Sequence, residues 1–310
     1  MTIEFHRKML ADRLRSQAFA AALRQIIVPG QSTVADIGAG TGVLGFMARR
    51  LGAREVHLVE QGDVLELAAR LAVDNGIDGL HFWSAHSTEI LDPPQVDVVV
   101  AEILGNFALE ENALETLADA RRFLRPGGVL IPSRLEQWIA PVTGSRLRDE
   151  LCSWDDSPMQ LDFGAARAMS FDNIYVRGIH PDELLSADAA RCWDVLDFGT
   201  GQKPRRSASI SWRLAAPVQI HGFALWWRCE LVPGIHIGTS PLDPPTHWEQ
   251  VYAPVATVFD CHAGDELGIG IEAETGGDEA GISLCWEVTQ KRGTRIIARC
   301  AHDIGRGFMI

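Results

Sequence analysis

TVADIGAGTGVLG, residues 33–45, decides the fold. Thr33–Ile37 has strand-like character and breaks into glycines at 38, 40 and 42, after which helical character resumes at Val43. Glycine at such positions lets the chain turn sharply and lets backbone approach a ligand, because no Cβ stands in the way. The same alternation continues outward. Strands are expected at Glu55–Val59, Leu80–Trp83, Val96–Ala101 and from Val129 to Ile131, and helices at 16–27, 43–51, 64–74 and 112–124. This pattern predicts a parallel sheet with helices on both faces.

Past about residue 135 the pattern changes. Segments such as 208–214, 219–231, 267–273 and 282–289 are strand-like, with turn residues between them and no regular helices. A mainly antiparallel β-domain is expected there. The stretch from about 154 to 186 fits it poorly, with short helical candidates at 162–168 and 181–185, and is expected to project from it. Gly276-Gly277-Asp278 reads as a hairpin tip.

The 310 residues are 46% hydrophobic and 22% charged, ordinary for a globular protein. No apolar run approaches the roughly 18 residues of a membrane span, and no signal peptide is apparent, so a cytoplasmic protein is expected. The six cysteines, at 152, 192, 229, 261, 285 and 300, include no CxxC pair. They read as reduced core thiols, and no metal site is expected from them. A net charge of −13 disfavours nucleic-acid phosphates and is compatible with a cationic substrate.

The glycine loop lacks the GxGxxG spacing of dinucleotide enzymes and the lysine of a P-loop. Glu60 closes the second strand, where an acid can accept hydrogen bonds from both hydroxyls of a ribose. Alone it would be a solvated strand-end charge. Together with the loop it points to a nucleoside-containing ligand, and S-adenosyl-L-methionine suits it better than a dinucleotide.

Downstream, AEILGNFALEEN (101–112) follows the apolar strand 96–100 and carries Glu102 and Glu111, nine residues apart. On one helix that separation turns the chain through roughly 900° and opposes the two side chains. On one strand it also opposes them, roughly 30 Å apart. They meet only if the chain reverses between them, and Gly105-Asn106 favours a reversal. Converging carboxylates serve as an acid–base pair or as a clamp for a cation, with guanidinium the best geometric match. Otherwise Glu102 is a strand-end charge and Glu111 an acid at a helix N-terminus.

These residues resemble the protein arginine N-methyltransferases. Ala101-Glu102-Ile103-Leu104-Gly105, followed by Glu111, resembles that family's double-E hairpin. TSPLDPPTHWEQ (239–250) resembles its Thr-His-Trp loop, and HRKMLADRLRSQAF (6–19) the helix before its nucleotide domain. The resemblance spans essentially the whole chain. It implies a Rossmann-like domain with its N-terminal helix over 1–134, then a β-barrel substrate domain over 135–310. A dimerisation arm at about 154–186 would form a homodimer.

By position, the resemblance implies that Glu102 and Glu111 hold a substrate guanidinium. His247 would lie beside them with Asp12 as its carboxylate partner, and Trp248 would line the arginine entrance. Arg15 would pair with the carboxylate of S-adenosyl-L-methionine and His6 would lie near that cofactor. Asp36, Gly38 and Gly40 would shape its loop, Glu60 would take its ribose, and Met9 would line the pocket around the acceptor. Three positions depart from the family pattern. Ala101 stands for a serine and Ala113 for a methionine, and Ala85-His86-Ser87 stands where an adenine-contacting acid is usual, so Ser87 is taken as a cofactor contact. The acceptor is left open between protein or peptide arginine and free arginine or another small guanidine. A SAM-binding regulatory protein without turnover is the alternative of a different class.

Overall fold

The computed structural model describes residues 3–110, 112–156, 159, 161–275 and 281–307. Two helices lead in, α1 (Ile3–Ala11) and α2 (Arg13–Ile26). They break at Asp12, whose side chain caps α2 by accepting the Arg15 N–H at 2.9 Å. An aspartate in extended backbone supplies the acceptor that the first turn of a helix lacks. On α2, Phe19, Ala22 and Leu23 are fully buried, at the i, i+3, i+4 spacing of one helical face. Each large side chain so buried contributes about 1.5–3 kcal/mol.

Five parallel strands follow: β1 (Thr33–Ile37), β2 (Glu55–Val59), β3 (Leu80–Trp83), β4 (Val96–Val100) and β5 (Leu124–Ile131). Helices α3 (Val43–Arg50), α4 (Val64–Asp74) and α5 (Ala113–Ala120) connect them, and the sheet order is β3-β2-β1-β4-β5. Every residue of β1 is buried, as a strand covered on both faces requires. The order reverses direction between β1 and β4, and a sheet of this kind binds ligands at the carboxyl ends beside that switch point. Two expectations differ in detail. The helix read to 124 ends at Ala120 and passes through a 3-10 turn, and β5 begins at Leu124. Pro126-Gly127-Gly128 therefore lies inside a strand, at a register shift against β4.

From β6 (Arg134–Val142) onward the strands pair antiparallel. A helical interruption follows, with α6 (Arg146–Cys152), α7 (Gly164–Phe171), the short strand β7 (Tyr175–Arg177) and a 3-10 turn at Pro181–Glu183. Then come β8 (Arg191–Asp197), β9 (Arg205–Arg213), β10 (Val218–Val232), β11 (Ile235–Gly238), β12 (Gln250–Cys261), β13 (Glu266–Glu274), β14 (Ser283–Arg292), β15 (Arg295–Asp303) and α8 (Ile304–Gly307). They form a six-stranded and a four-stranded sheet. β8 adjoins β9 and β12 adjoins β15, so the sheets wrap one core in the manner of a barrel. Among the described residues their pairing does not close into a single ring. The expected hairpin tip at 276–278 lies outside the described residues.

Candidate active site

Residues that follow β1, β2 and β4 line a cavity of about 600 Å3. The glycine loop forms one wall, with φ of +70° at Gly38, +53° at Gly40 and +79° at Gly42. Gly40 is required twice over. Its backbone is left-handed, and a Cβ there would lie 2.9 Å from the ring of His6. Glu60 accepts the Gly40 N–H at 3.0 Å on one oxygen and the Gly62 N–H at 2.7 Å on the other. Its carboxylate thus holds the loop against the end of β2.

Asp36 is 1% exposed and accepts the Gly45 N–H at 2.8 Å. Burial raises its pKa to about 7, opposed mainly by the hydrogen bond from Gly45. An acid whose pKa rises on folding favours the native state only below its unfolded value. The native state therefore loses stability as pH climbs from about 4 to about 7, and the effect is flat above that. Asp36→Asn keeps an oxygen for Gly45 and removes the titration. The variant is expected to gain roughly 2–3 kcal/mol more over wild type at pH 8 than at pH 5, read by denaturant unfolding at both pH values. An equal gain at both would refute a titrating Asp36.

The Arg15 guanidinium lies on Glu102, where β4 ends. Nε donates to Oε2 at 2.8 Å and Nη2 donates to the same oxygen, with both side chains about 5% exposed or less. Oε1 of Glu102 is left with one long contact, from the Leu104 N–H at 3.4 Å. The remaining Arg15 nitrogen, Nη1, is buried without a partner, as are Nε2 of His6 and Oγ of Ser87. All three residues line the cavity. Buried polar atoms of this kind can be satisfied from the cavity by water or by a polar ligand.

Asp12 serves a second partner with its other oxygen. Oδ2 accepts the backbone N–H of His247 at 2.8 Å and faces His247 Nδ1 at 2.8 Å. Burial opposes the charge on Asp12, but the hydrogen bonds from Arg15 and His247 outweigh it and hold the carboxyl below its usual range. Burial pushes the His247 imidazole down, against the pull of Asp12 and Glu102. The network assigns the proton to Nδ1, which leaves Nε2 of this cavity-lining residue buried and unpartnered as a proton acceptor.

Three donors from the β half pin the loop after Glu102. Trp248 Nε1 donates to the Leu104 carbonyl at 2.7 Å, Trp227 Nε1 to the Gly105 carbonyl at 3.0 Å, and the Glu249 N–H to Asn106 Oδ1 at 2.9 Å. The two indoles meet edge to face with centroids 5.0 Å apart. From the other side Glu110 accepts the Phe107 N–H at 3.2 Å, and the reversal closes with Glu110 N–H on the Phe107 carbonyl at 3.0 Å. Burial raises the pKa of Glu110 against backbone hydrogen bonds from Phe107 and Asn106. The chain turns over residues 106–110, slightly beyond the Gly105-Asn106 expected. Glu111 lies outside the described residues.

Arg15, Asp36, Gly38, Gly40, Glu60, His6, Met9, Ser87, Glu102, His247 and Trp248 thus line one cavity, and Asp12 stands behind His247. Trp248 is 4% exposed, so it forms inner wall rather than open rim. Sequence reasoning missed Glu110 and Trp227. Glu110 stands next to Glu111 and has no motif of its own. Trp227 ends the apolar run 223–227 of β10, where an indole reads as core.

The chain is similar to known methyltransferases. Residues 19–137 match the ribosomal protein L11 methyltransferase family, and residues 135–290 match the arginine methyltransferase oligomerization subdomain. Protein arginine N-methyltransferase 6 of Xenopus laevis is 30% identical over 264 residues, 80% of this chain and 77% of that protein. The histone-arginine methyltransferase CARMER of Anopheles gambiae is 26% identical over 84% of this chain and 44% of its own length. In fold, the chain resembles the Trypanosoma brucei PRMT1 enzyme–prozyme complex with AdoHcy (TM-score 0.85, 21% identity, 96% of both chains). It also resembles Arabidopsis thaliana protein arginine methyltransferase 10 (TM-score 0.82, 21% identity, 98% of both chains).

Proposed function

The chain belongs to the protein arginine N-methyltransferase family, and from that premise we propose that its cavity transfers methyl from S-adenosyl-L-methionine to a guanidinium nitrogen of protein arginine. One observation carries the reading. Glu102, in the cavity wall, already receives a guanidinium on one oxygen and keeps the other available.

The residues present fit the cofactor. The Gly40 cradle has no Cβ, each Glu60 oxygen keeps a lone pair beyond the one that Gly40 or Gly62 uses, and the orphan Nη1 of Arg15 suits a carboxylate. Ser87 Oγ and His6 Nε2 complete the polar lining. S-adenosyl-L-methionine supplies an electrophilic methyl on sulfonium; transfer breaks the C–S bond, forms a C–N bond and leaves one proton to be removed.

A guanidinium is a poor nucleophile because its charge is delocalised and it stays protonated near neutrality. Glu102, with Glu111 as its proposed partner, draws that charge towards the nitrogens it binds and fixes the attacking one. Orientation alone is worth several kcal/mol. Nε2 of His247 is the proposed proton acceptor, with Asp12 stabilising the imidazolium that forms.

Trp227 acts one step removed, by holding the Gly105 carbonyl. Trp227→Phe keeps the ring and removes the donor. The KM for an arginine peptide is expected to rise about 5–20-fold, the ~1–2 kcal/mol of a lost buried hydrogen bond, with AdoHcy affinity unchanged. An equal loss in both would make Trp227 ordinary core.

The decisive experiment supplies methyl-labelled S-adenosyl-L-methionine with an arginine-rich peptide, free arginine or cell lysate, followed by mass spectrometry. Label on peptide or protein arginine is expected. Label confined to free arginine would reassign the acceptor. Tight cofactor binding without transfer to any guanidine would favour a regulatory protein.

The subdivision proposed is a cofactor-binding part over 1–134 and a substrate part over 135–310. The family's oligomerization subdomain covers most of the second part. The further proposal is a homodimer through the arm at about 154–186, where Trp154 is 40% and Met159 91% exposed. No helix among the described residues is long and apolar enough to cross a membrane. The further reading is a cytoplasmic enzyme that binds neither membrane nor nucleic acid, and the net charge of −13 speaks against nucleic-acid phosphates.

A further inference from the structure

On the parallel sheet, away from the cavity, three potential ligand side chains converge. Glu55 and His57 are two apart on β2 and so share one face of the sheet. His81, on the edge strand β3, is the register partner of His57. The two imidazoles stack with centroids 4.8 Å apart and planes at 19°. His81 Nε2 lies 3.9 Å from Glu55 Oε2, and one ligand atom from each of the three lies within 4.8 Å of the others.

We propose that Glu55, His57 and His81 form a divalent transition-metal site of two imidazoles and one carboxylate, with zinc the representative ion. Neighbouring strands are a rigid base for such a chelate. The histidine backbones are fixed by strand pairing, and side-chain rotation would bring the ligand atoms to the roughly 2.0–2.2 Å of zinc bonds. Glu55 and His81 are the mobile members, with side chains 43% and 51% exposed.

The groups around the cluster set its affinity. Arg54 Nε lies 3.6 Å from Glu55 Oε1, which leaves Oε2 towards His81. Burial, and secondarily the charge of His81, push the His57 imidazole down against the pull of Glu55. Neutral imidazole is the ligand form. Trp83 opposes loading, because its indole N–H donates to His57 Nδ1 at 3.2 Å. That bond assigns the ring proton to Nε2, so a metal on either nitrogen must break it.

The proposal fixes opposite signs for two substitutions. Tag-free, chelator-stripped protein is titrated with Zn2+ by calorimetry. Wild type is expected to take up one ion that His81→Ala weakens by roughly tenfold or more. Trp83→Phe, which removes the competing donor and keeps a ring, is expected to tighten binding several-fold. Zinc should also raise the unfolding temperature of wild type but not of His81→Ala. Equal zinc affinity in wild type and His81→Ala, weaker binding in Trp83→Phe, or no uptake at 100 µM as a rough ceiling would each overturn the site. None of these readouts depends on methyl transfer.

Discussion

Glu102→Gln is expected to lower kcat/KM for arginine methylation by roughly 10²–10⁴-fold while leaving the cofactor site working. Glutamine matches glutamate in shape, so the 5%-exposed side chain keeps its packing. What disappears is the charge that faces Arg15 and, in the proposed clamp, would face the substrate guanidinium. Removing one partner of a buried hydrogen-bonded charge pair costs about 2–5 kcal/mol, which is the loss stated. The cofactor side has the opposite sign. In wild type Arg15 is engaged by Glu102, so in the proposed site the cofactor's carboxylate would share it. In the variant it meets an Arg15 with no competing carboxylate there, so S-adenosyl-L-methionine binding holds or tightens. Steady-state kinetics and calorimetry with AdoHcy read the two effects separately. Near-normal turnover would remove Glu102 from the clamp, and a matching loss of AdoHcy affinity would make it a cofactor residue.

Asp12→Ala is the second large effect, and it acts on folding and chemistry together. One oxygen caps α2 and the other accepts two donors from His247. Loss of the cap costs about 1 kcal/mol. The buried His247 N–H left unsatisfied costs about 1–3 kcal/mol more. A total of roughly 2–4 kcal/mol lowers the apparent unfolding temperature by about 3–6 °C. His247 would also lose the partner that fixes its tautomer and stabilises its imidazolium. Activity is expected to fall by roughly tenfold or more even at temperatures where the variant is fully folded. Asp12→Asn separates the two roles. Its single oxygen can cap α2, but its amide then faces the His247 N–H, so it should recover part of the stability and little of the activity. If Asp12→Ala unfolds like wild type and turns over normally, Asp12 neither caps α2 nor serves His247.

Both predictions depend on contacts that differ in how far the chain carries them. The Asp12 cap is local: an aspartate three residues before its donor at the start of a helix. The bond from Asp12 to His247 spans 235 positions, and only the resemblance to a family brought those two residues together before the structure did. Arg15 shows what the structure adds to that resemblance. The cofactor's carboxylate is its expected partner, and its Nε and Nη2 lie on Glu102, which leaves Nη1 over. Glu110 had no motif to mark it, because its role is to accept backbone N–H groups of a turn whose course depends on the two indoles behind it.

The sequence by itself determined the parallel sheet, the glycine loop and the acid that closes β2. Those follow from short-range causes: apolar runs, glycines where φ is positive, and alternation of strand with helix. The antiparallel half was legible as strands but not as two sheets, because pairing among strands is a long-range choice. Tertiary structure alone decided which polar groups share a buried space. Such pairs form only when distant segments lose water together, and each buried donor must then find whatever acceptor the fold has brought beside it. Arg15 on Glu102, Asp12 on His247, Trp227 on Gly105 and His57 beside His81 are outcomes of that requirement.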